Sequence, residues 1–251
     1  MVSERSGLTR PRALLLDLDG TLLDAGDGIS DRVFEAVQAA ARVIPVGIAS
    51  GRVLEDVNHF ARLLGLHGPQ VSDNGARLSD TVTGRTLVDV PIEAEAARSI
   101  IHSLERDDVQ YFAVDSGRTV RQTSLFTDWR VTVITCYVSG QSEAEQRAGD
   151  HTGSAVNAIC SIGSRGEWYV NYTHGNADKG HGAKLFSDAA GIDLSDVMAI
   201  GDGFNDLEMF KVVGLPVAMG HAPDRVKMHT VHATGTLEED GVAQAIERFV
   251  L

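Results

Sequence analysis

The stretch that most constrains this chain is an apolar run, Ala13-Leu14-Leu15-Leu16, that ends in Asp17-Leu18-Asp19-Gly20-Thr21-Leu22. A short continuous apolar run bounded by a Gly turn reads as a strand covered on both faces, the habit of parallel sheets in α/β folds. Side chains two apart in extended chain share a side. Asp17 and Asp19 therefore converge at the strand's carboxyl end. Two carboxylates placed together repel unless something offsets the repulsion. A hard divalent cation does so, because Mg²⁺ takes oxygen ligands and often one or two carboxylates. One acid can then act as nucleophile and the other as proton donor. A plain strand ending also accounts for Asp19-Gly20, since Asp-Gly is a common turn dipeptide.

The rhythm that follows supports a parallel sheet. Ser30 is placed to cap a helix from Asp31, with Val33, Phe34, Val37, Ala40 and Ala41 on one face. Residues 45–49 read as a second buried strand, and Val53, Val57, Phe60 and Leu64 follow at helical spacing until Gly65 stops them. Residues 70–72 read as a third strand, giving β-α-β-α-β. The pattern then changes. Residues 85–90, 109–114, 118–122, 131–138, 155–162 and 167–172 read as closely spaced strands with turn signals between them. Helices are expected at 93–106 and 142–149. The first rhythm returns after Asp178: a helix at 179–190, a strand at 197–200, a helix running to 212, a strand at 215–218 and a last helix from 241. The expected architecture is α/β: a Rossmann-like parallel-sheet core, 1–76 with 177–251, interrupted by an inserted α+β domain at 77–176.

Bulk properties exclude several classes. The chain has 251 residues, enough for two modest domains or one large one, and a net charge of −13, which argues against a nucleic-acid surface. No apolar run approaches a membrane span. The polar start, 1–12, lacks the apolar segment of a signal peptide and reads as a loose tail. Cys136 and Cys160 stand far apart and outside any CxxC pattern, as small residues of a reducing, cytoplasmic setting. No nucleic-acid or membrane partner is expected, and the oligomeric state is not readable.

Three further places bear on chemistry. Ser50-Gly51 sits where a strand meets a helix N-terminus, a place that attracts anions; Ser50 is equally suited to capping that helix. Lys179 opens the helix after the insert, where a cation opposes the helix dipole. Alone it reads as a solvated lysine. Residues 197–206 repeat the opening logic, an apolar strand ending in Gly201-Asp202 with Asn205 and Asp206 just inside a helix. Capping also explains such residues. All of these fall outside the carboxyl ends of strands, where open α/β sheets bind ligands.

In order and spacing, the set resembles the haloacid dehalogenase (HAD) superfamily over essentially the whole chain. Asp17-Leu18-Asp19-Gly20-Thr21 resembles its first motif, Ser50-Gly51-Arg52 the second, Lys179-Gly180 the third, and Gly201-Asp202 through Asn205-Asp206 the fourth. The insert resembles the C2-type cap of the Cof-like, class IIB branch, as do Asp73-Asn74-Gly75-Ala76, Ala218-Met219-Gly220 and Asp240-Gly241-Val242-Ala243. Ala49 departs from the Thr more usual before Ser-Gly-Arg.

The resemblance implies a Mg²⁺-dependent phosphatase acting on a small phosphorylated metabolite. Asp17 would form an aspartyl-phosphate and Asp19 would shuttle the proton. Mg²⁺ would be held by Asp17, the Asp19 carbonyl and Asp202, with Asp206 orienting its waters. Ser50, Asn74 and Lys179, with Gly20, Gly51 and Asn205 around them, would hold the phosphoryl group. Phosphomutases share the first motif; non-catalytic alternatives are a phospho-acceptor domain, which also combines an acceptor Asp, a Ser or Thr and a Lys, and a degenerate binding protein. Specificity is expected in the insert, around 118–130 and 164–168. Trp129, Trp168, Tyr169 and Tyr172 belong to its core or its site-facing surface. The nine histidines form no recognisable metal set.

Overall fold

The computed structural model describes residues 10–163 and 166–251. Most of the polar start, and residues 164 and 165 of the expected specificity segment, lie outside the described residues. The first layer opens with β1 (Ala13–Leu16), α1 (Asp31–Ala41), β2 (Val46–Ile48), α2 (Leu54–Leu63) and β3 (Pro69–Ser72). Ser30 caps α1 by accepting from the Val33 amide, and Gly65 ends the second helical segment at φ +69. A hairpin follows, β4 (Arg77–Asp80) and β5 (Thr86–Asp89). The insert comprises α3 (Ala94–Arg106), β6 (Tyr111–Asp115), β7 (Arg118–Val120), β8 (Val131–Val138), α4 (Gln141–His151), β9 (Val156–Ile162) and β10 (Trp168–His174). The first layer resumes with α5 (Lys179–Ala190), β11 (Val197–Gly201), α6 (Leu207–Val212), β12 (Leu215–Ala218), α7 (Asp224–Lys227), β13 (His232–Ala233) and α8 (Gly241–Phe249).

The core sheet is parallel throughout, in the order β13-β12-β11-β1-β2. Its strands are apolar without alternation because both faces are covered. Leu14, Leu16, Met198, Ile200 and Val217 face one cluster with Val37, Phe60 and Ile246 from the helices. Ala13, Leu15, Val197 and Ala199 face a second cluster with Ala183, Phe186 and Phe210. The two acidic strand ends, Asp17 after β1 and Asp202 after β11, are neighbours because those strands pair Leu16 with Ile200.

The third expected parallel strand is joined differently. β3 pairs antiparallel with β4, and β4 with β5, in a separate three-stranded sheet. It meets the second strand's end through a parallel bridge between Ala49 and Val71. The amide of Ile48 donates instead to the Gln70 side chain at 2.7 Å, so a side chain takes the place of a ladder carbonyl. Residues 77–80 are polar except for Leu78 and carry no strand signal. Residues 85–90, read with the insert, hydrogen-bond through β4 to β3, and Leu78 and Val88 pack against the core layer. The short α7 and the two-residue edge strand β13 also carry too few residues to leave a periodic signal.

The insert is an antiparallel sheet, β7-β6-β8-β10-β9, with two helices on one face. Ile100, Ile101 and Leu104 of α3 and Ala144 and Ala148 of α4 bury Ile134, Cys136, Val170 and Tyr172. Residues of opposite parity, Phe112, Thr135, Tyr137, Tyr169 and Asn171, leave that core and line a cavity shared with Asp17 and Asp202. Strand alternation alone dictates this division. The architecture is thus a Rossmann-like parallel layer with an inserted α+β layer.

Candidate active site

The cavity encloses about 760 Å³ between the carboxyl edge of the parallel sheet and the open face of the inserted sheet. At its floor Lys179 is fully buried, and its Nζ donates to Asp17 Oδ1 at 2.6 Å and to Asp206 Oδ1 at 2.7 Å. The solvated-lysine reading of Lys179 is therefore replaced by a buried ion triad. Burial alone would pull the ammonium's pKa down, but the Asp17 and Asp206 charges outweigh it and raise it. The Asp206 Oδ2 accepts from the amides of Asp202 and Gly203 at 3.0 and 2.9 Å. Both of its oxygens are thus engaged by donors of the chain.

Asp17, Asp202 and Asp206 each offer an oxygen within 4.8 Å of the others. Burial first, and the Asp206 charge second, hold the Asp17 carboxyl well above the usual carboxylate range despite the opposing Lys179. The same two causes push Asp202 up to about 7, against the hydrogen bond from Thr21 Oγ1 at 2.9 Å. Gly20 makes this arrangement possible. Its φ of +76 suits glycine, and a Cβ built there would stand 2.6 Å from Asp202 Oδ2. Three acids drawn together around one lysine form a donor set of hard oxygens, the chemistry that suits a divalent cation.

Asp19 takes another position. Its carboxylate lies at the cavity wall, where Arg52 binds it through Nη2 to Oδ1 at 2.6 Å and Nε to Oδ2 at 3.0 Å. Arg52 also pairs with Asp27. Burial lowers the Arg52 pKa, but these two acids raise it to a net increase. Strand parity alone would have put the Asp19 carboxylate beside that of Asp17. The chain leaves the strand before Asp19, and the turn sends it to Arg52 instead.

Ser50 is buried, and its Oγ accepts from the Arg52 amide at 3.0 Å, which leaves the hydroxyl hydrogen free to donate. The Asn74 amide donates to the Ser50 carbonyl at 3.0 Å. Asp73, Asn74 and Gly75 all hold positive φ, at 51°, 53° and 92°. Such a run is costly for residues with a Cβ. Gly75 is required on a second count: a Cβ there would fall 1.8 Å from the Asp178 carbonyl, just before Lys179. Among the described residues, neither polar atom of the buried Asn74 side chain has a partner. Gly51 and Asn205 line the cavity.

Of the residues singled out from sequence, the structure thus gathers Asp17, Gly20, Lys179, Asp202 and Asp206 at one spot, with Gly51 on the adjoining wall and Ser50 and Asn74 buried next to it. Sequence reasoning passed over Thr21, Arg52, His221 and Asn171. The His221 Nε2 lies 3.8 Å from Asp202 Oδ2, and its Nδ1 faces the Leu237 amide at 3.3 Å. Arg52 stood within the Ser50-Gly51-Arg52 motif, the one signal that could have raised it. Of the four aromatic residues named for the insert, Trp168 and Tyr169 line the cavity, Tyr172 is core, and Trp129 packs against that core.

A family model for haloacid dehalogenase-like hydrolases matches residues 14–127 and 119–246. The chain belongs to this family. Its fold matches that of a solved sugar phosphatase of HAD subclass IIB with a TM-score of 0.79 at 20% identity, over 95% of this chain and 98% of that one. A phosphoglycolate phosphatase of Methanothermobacter thermautotrophicus is 27% identical over 240 residues, covering 95% of this chain and 99% of that protein. The pyridoxal phosphate phosphatase YbhA of Escherichia coli is 26% identical, covering 94% of this chain and 97% of its own length. Among solved structures, a haloacid dehalogenase-like hydrolase from B. subtilis superposes with a TM-score of 0.82 at 22% identity, over 94% of this chain and 99% of that one. Among the described residues, no helix of this HAD hydrolase is long and apolar enough to cross a membrane.

Proposed function

We propose that this HAD hydrolase is a Mg²⁺-dependent phosphatase that cleaves a small phosphorylated metabolite through an aspartyl-phosphate on Asp17. Phosphoric monoester hydrolysis agrees with its family and with full-length relatives named as phosphatases. The single observation that carries the mechanistic reading is the buried Lys179, which holds Asp17 and Asp206 with Asp202 alongside at the cavity floor.

In this reading Lys179 fixes Asp17 through Oδ1 and leaves Oδ2 to attack phosphorus. As the new O–P bond forms, the bond to the leaving oxygen breaks, and Asp19, entering the cycle protonated and released from Arg52, gives that oxygen its proton. Asp19 then takes a proton from the water whose oxygen displaces Asp17 and releases phosphate. Ser50, Asn74 and Lys179 hold phosphoryl oxygens, with Gly51 and Asn205 beside them and Gly20 making room for Asp202. Asp17, the Asp19 carbonyl and Asp202 would hold Mg²⁺, and Asp206 would orient their surroundings. The ion supplies positive charge against the phosphoryl oxygens when bound. The need for it is electrostatic: each like-charge pair at ~4 Å costs roughly 4 kcal/mol at an effective dielectric of about 20.

We assign the chemistry to 1–76 with 177–251 and the leaving-group side to most of 77–176; residues 77–89 go structurally with β3. The acidic overall charge fits small-molecule rather than nucleic-acid partners, and two isolated cysteines fit a reducing, cytoplasmic setting. The test is phosphate release from a panel of phosphorylated metabolites, with Mg²⁺ and with EDTA. Release that stops with EDTA and returns with Mg²⁺ is expected. Activity indifferent to chelator sinks the metal, and bisphosphate-dependent isomerisation without release favours a mutase.

A further inference from the structure

The inserted sheet reaches the catalytic floor with one side chain that the roles above do not use. Asn171 of β10 is 3% exposed and lines the cavity. Its register partner across the sheet is Thr135 of β8, whose Oγ1 donates to Asn171 Oδ1 at 2.7 Å. That bond decides which way the carboxamide faces. With the oxygen held against β8, the NH₂ group is turned toward Gly51. A Cβ built on Gly51 would stand 3.3 Å from Asn171 Nδ2 and 4.0 Å from Asn74 Oδ1. Two buried amides therefore converge over the α-carbon of Gly51.

Among the described residues no acceptor takes the hydrogens of Asn171 Nδ2. Asn74 beside it is fully buried, and neither polar atom of its side chain has a partner. The buried Asn74 groups left unmet are costly, and such groups in a native structure call for an explanation. A cavity-facing NH₂ asks for an acceptor from outside the chain. A bare glycine, the free hydroxyl hydrogen of Ser50 and the Lys179 ammonium nearby make an anionic oxygen the fitting one.

We propose that Asn171 donates a hydrogen bond to a phosphoryl oxygen of the substrate over Gly51, and that Thr135 is the positioning residue that fixes its amide. The nature of the ligand rests on the phosphatase reading. The consequence is that phosphoryl recognition is shared: one donor arrives on the inserted sheet, so the phosphoryl pocket is complete only with that sheet in place.

The test measures binding of inorganic phosphate to the full chain by calorimetry in Mg²⁺ buffer. Turnover of two monoesters with unlike leaving groups, p-nitrophenyl phosphate and phosphoglycolate, is followed beside it. A hydrogen bond to a charged group predicts about 10-fold weaker phosphate binding for Asn171→Ala and roughly 100-fold for Asn171→Asp, which sets like charge against the ligand. Thr135→Val should weaken binding by about 3- to 10-fold, whereas Thr135→Ser should restore it. The loss in kcat/KM should be the same for both monoesters. Unchanged phosphate affinity in Asn171→Ala overturns the proposal. So does a loss confined to one monoester, which would make Asn171 a reader of the leaving group, or equal behaviour of Thr135→Val and Thr135→Ser. If Asn171→Asp does not fold, the Ala and Thr135 variants carry the same comparison. Phosphate binding is read without turnover. A chain that binds phosphate through Asn171 yet releases none from any monoester overturns the phosphatase reading alone, and one that binds no phosphate overturns both.

Discussion

The carboxyl edge of the parallel sheet and the open face of the inserted sheet share one cavity but are built on opposite terms. At the sheet edge, charged groups are buried and mutually engaged: Lys179 is 0% exposed between Asp17 and Asp206, and Asp206 spends its other oxygen on two amides. Across the cavity, Tyr137 is 43% exposed, and Arg121 leans over the Phe112 ring, its Cζ 5.6 Å from the centroid. A saturated low-dielectric network strengthens each of its bonds and tolerates little change. An open face can be altered at small cost to stability. Apart from the buried Thr135–Asn171 pair, the contrast separates a locked floor from an alterable wall, in keeping with relatives of similar length whose names carry substrates as unlike as phosphoglycolate and pyridoxal phosphate.

The sharpest way to break this contrast is at Asp17. Asp17→Asn should bring turnover to background while circular dichroism keeps the folded spectrum, since the amide keeps the size of the side chain, Lys179 keeps Asp206 as its counter-charge, and the like charge of Asp206 on Asp17 is relieved. Retained phosphate release would remove Asp17 from the nucleophile's role.

Lys179→Met should cost both activity and stability. It leaves Asp17 and Asp206 buried without their cation, a loss of roughly 3–5 kcal/mol for a broken buried pair. Denaturant unfolding reads this directly, and an unchanged midpoint would mean the triad does not support the fold.

A smaller effect is expected from pH. The Asp202 carboxyl is pushed up to about 7 from 3.8. Between those values the metal-free folded state holds a proton that the unfolded chain has released. Its stability should therefore fall as pH rises from about 4 to about 7, and the raised Asp17 acts in the same direction. Ionised carboxylates favour metal, so the rise in Tm caused by Mg²⁺ should grow over the same window. A Mg²⁺ effect of constant size across it would contradict the assignment of these acids.

The smallest stability change belongs to the open wall. Tyr137→Ala should alter stability by less than about 1 kcal/mol and shift KM by amounts that depend on the leaving group. A uniform loss on every substrate, or a large drop in Tm, would erase the distinction between the two sides.

Much of this was legible in the chain itself. Uninterrupted apolar strands announced a sheet covered on both faces, Ser30 and Gly65 marked helix ends, and the acids at 17, 19, 202 and 206 marked two strand ends. These signals are local, set by periods of two and 3.6 residues and by the turn chemistry of Gly and Asp. β4 and β13 left no such signal, and β3 pairs with β4 while the Gln70 side chain, not a strand carbonyl, takes the Ile48 amide.

Tertiary structure alone decided the pairings. Lys179 meets Asp17 across 162 residues of sequence, and burial turns an ordinary lysine into a clamp. The turn after β1 carries Asp19 to Arg52, although its spacing from Asp17 suggested a shared position. Thr135 orients Asn171 from a neighbouring strand. A sequence states which groups a strand end carries. Which group each one faces depends on how distant elements pack, and no local period encodes that.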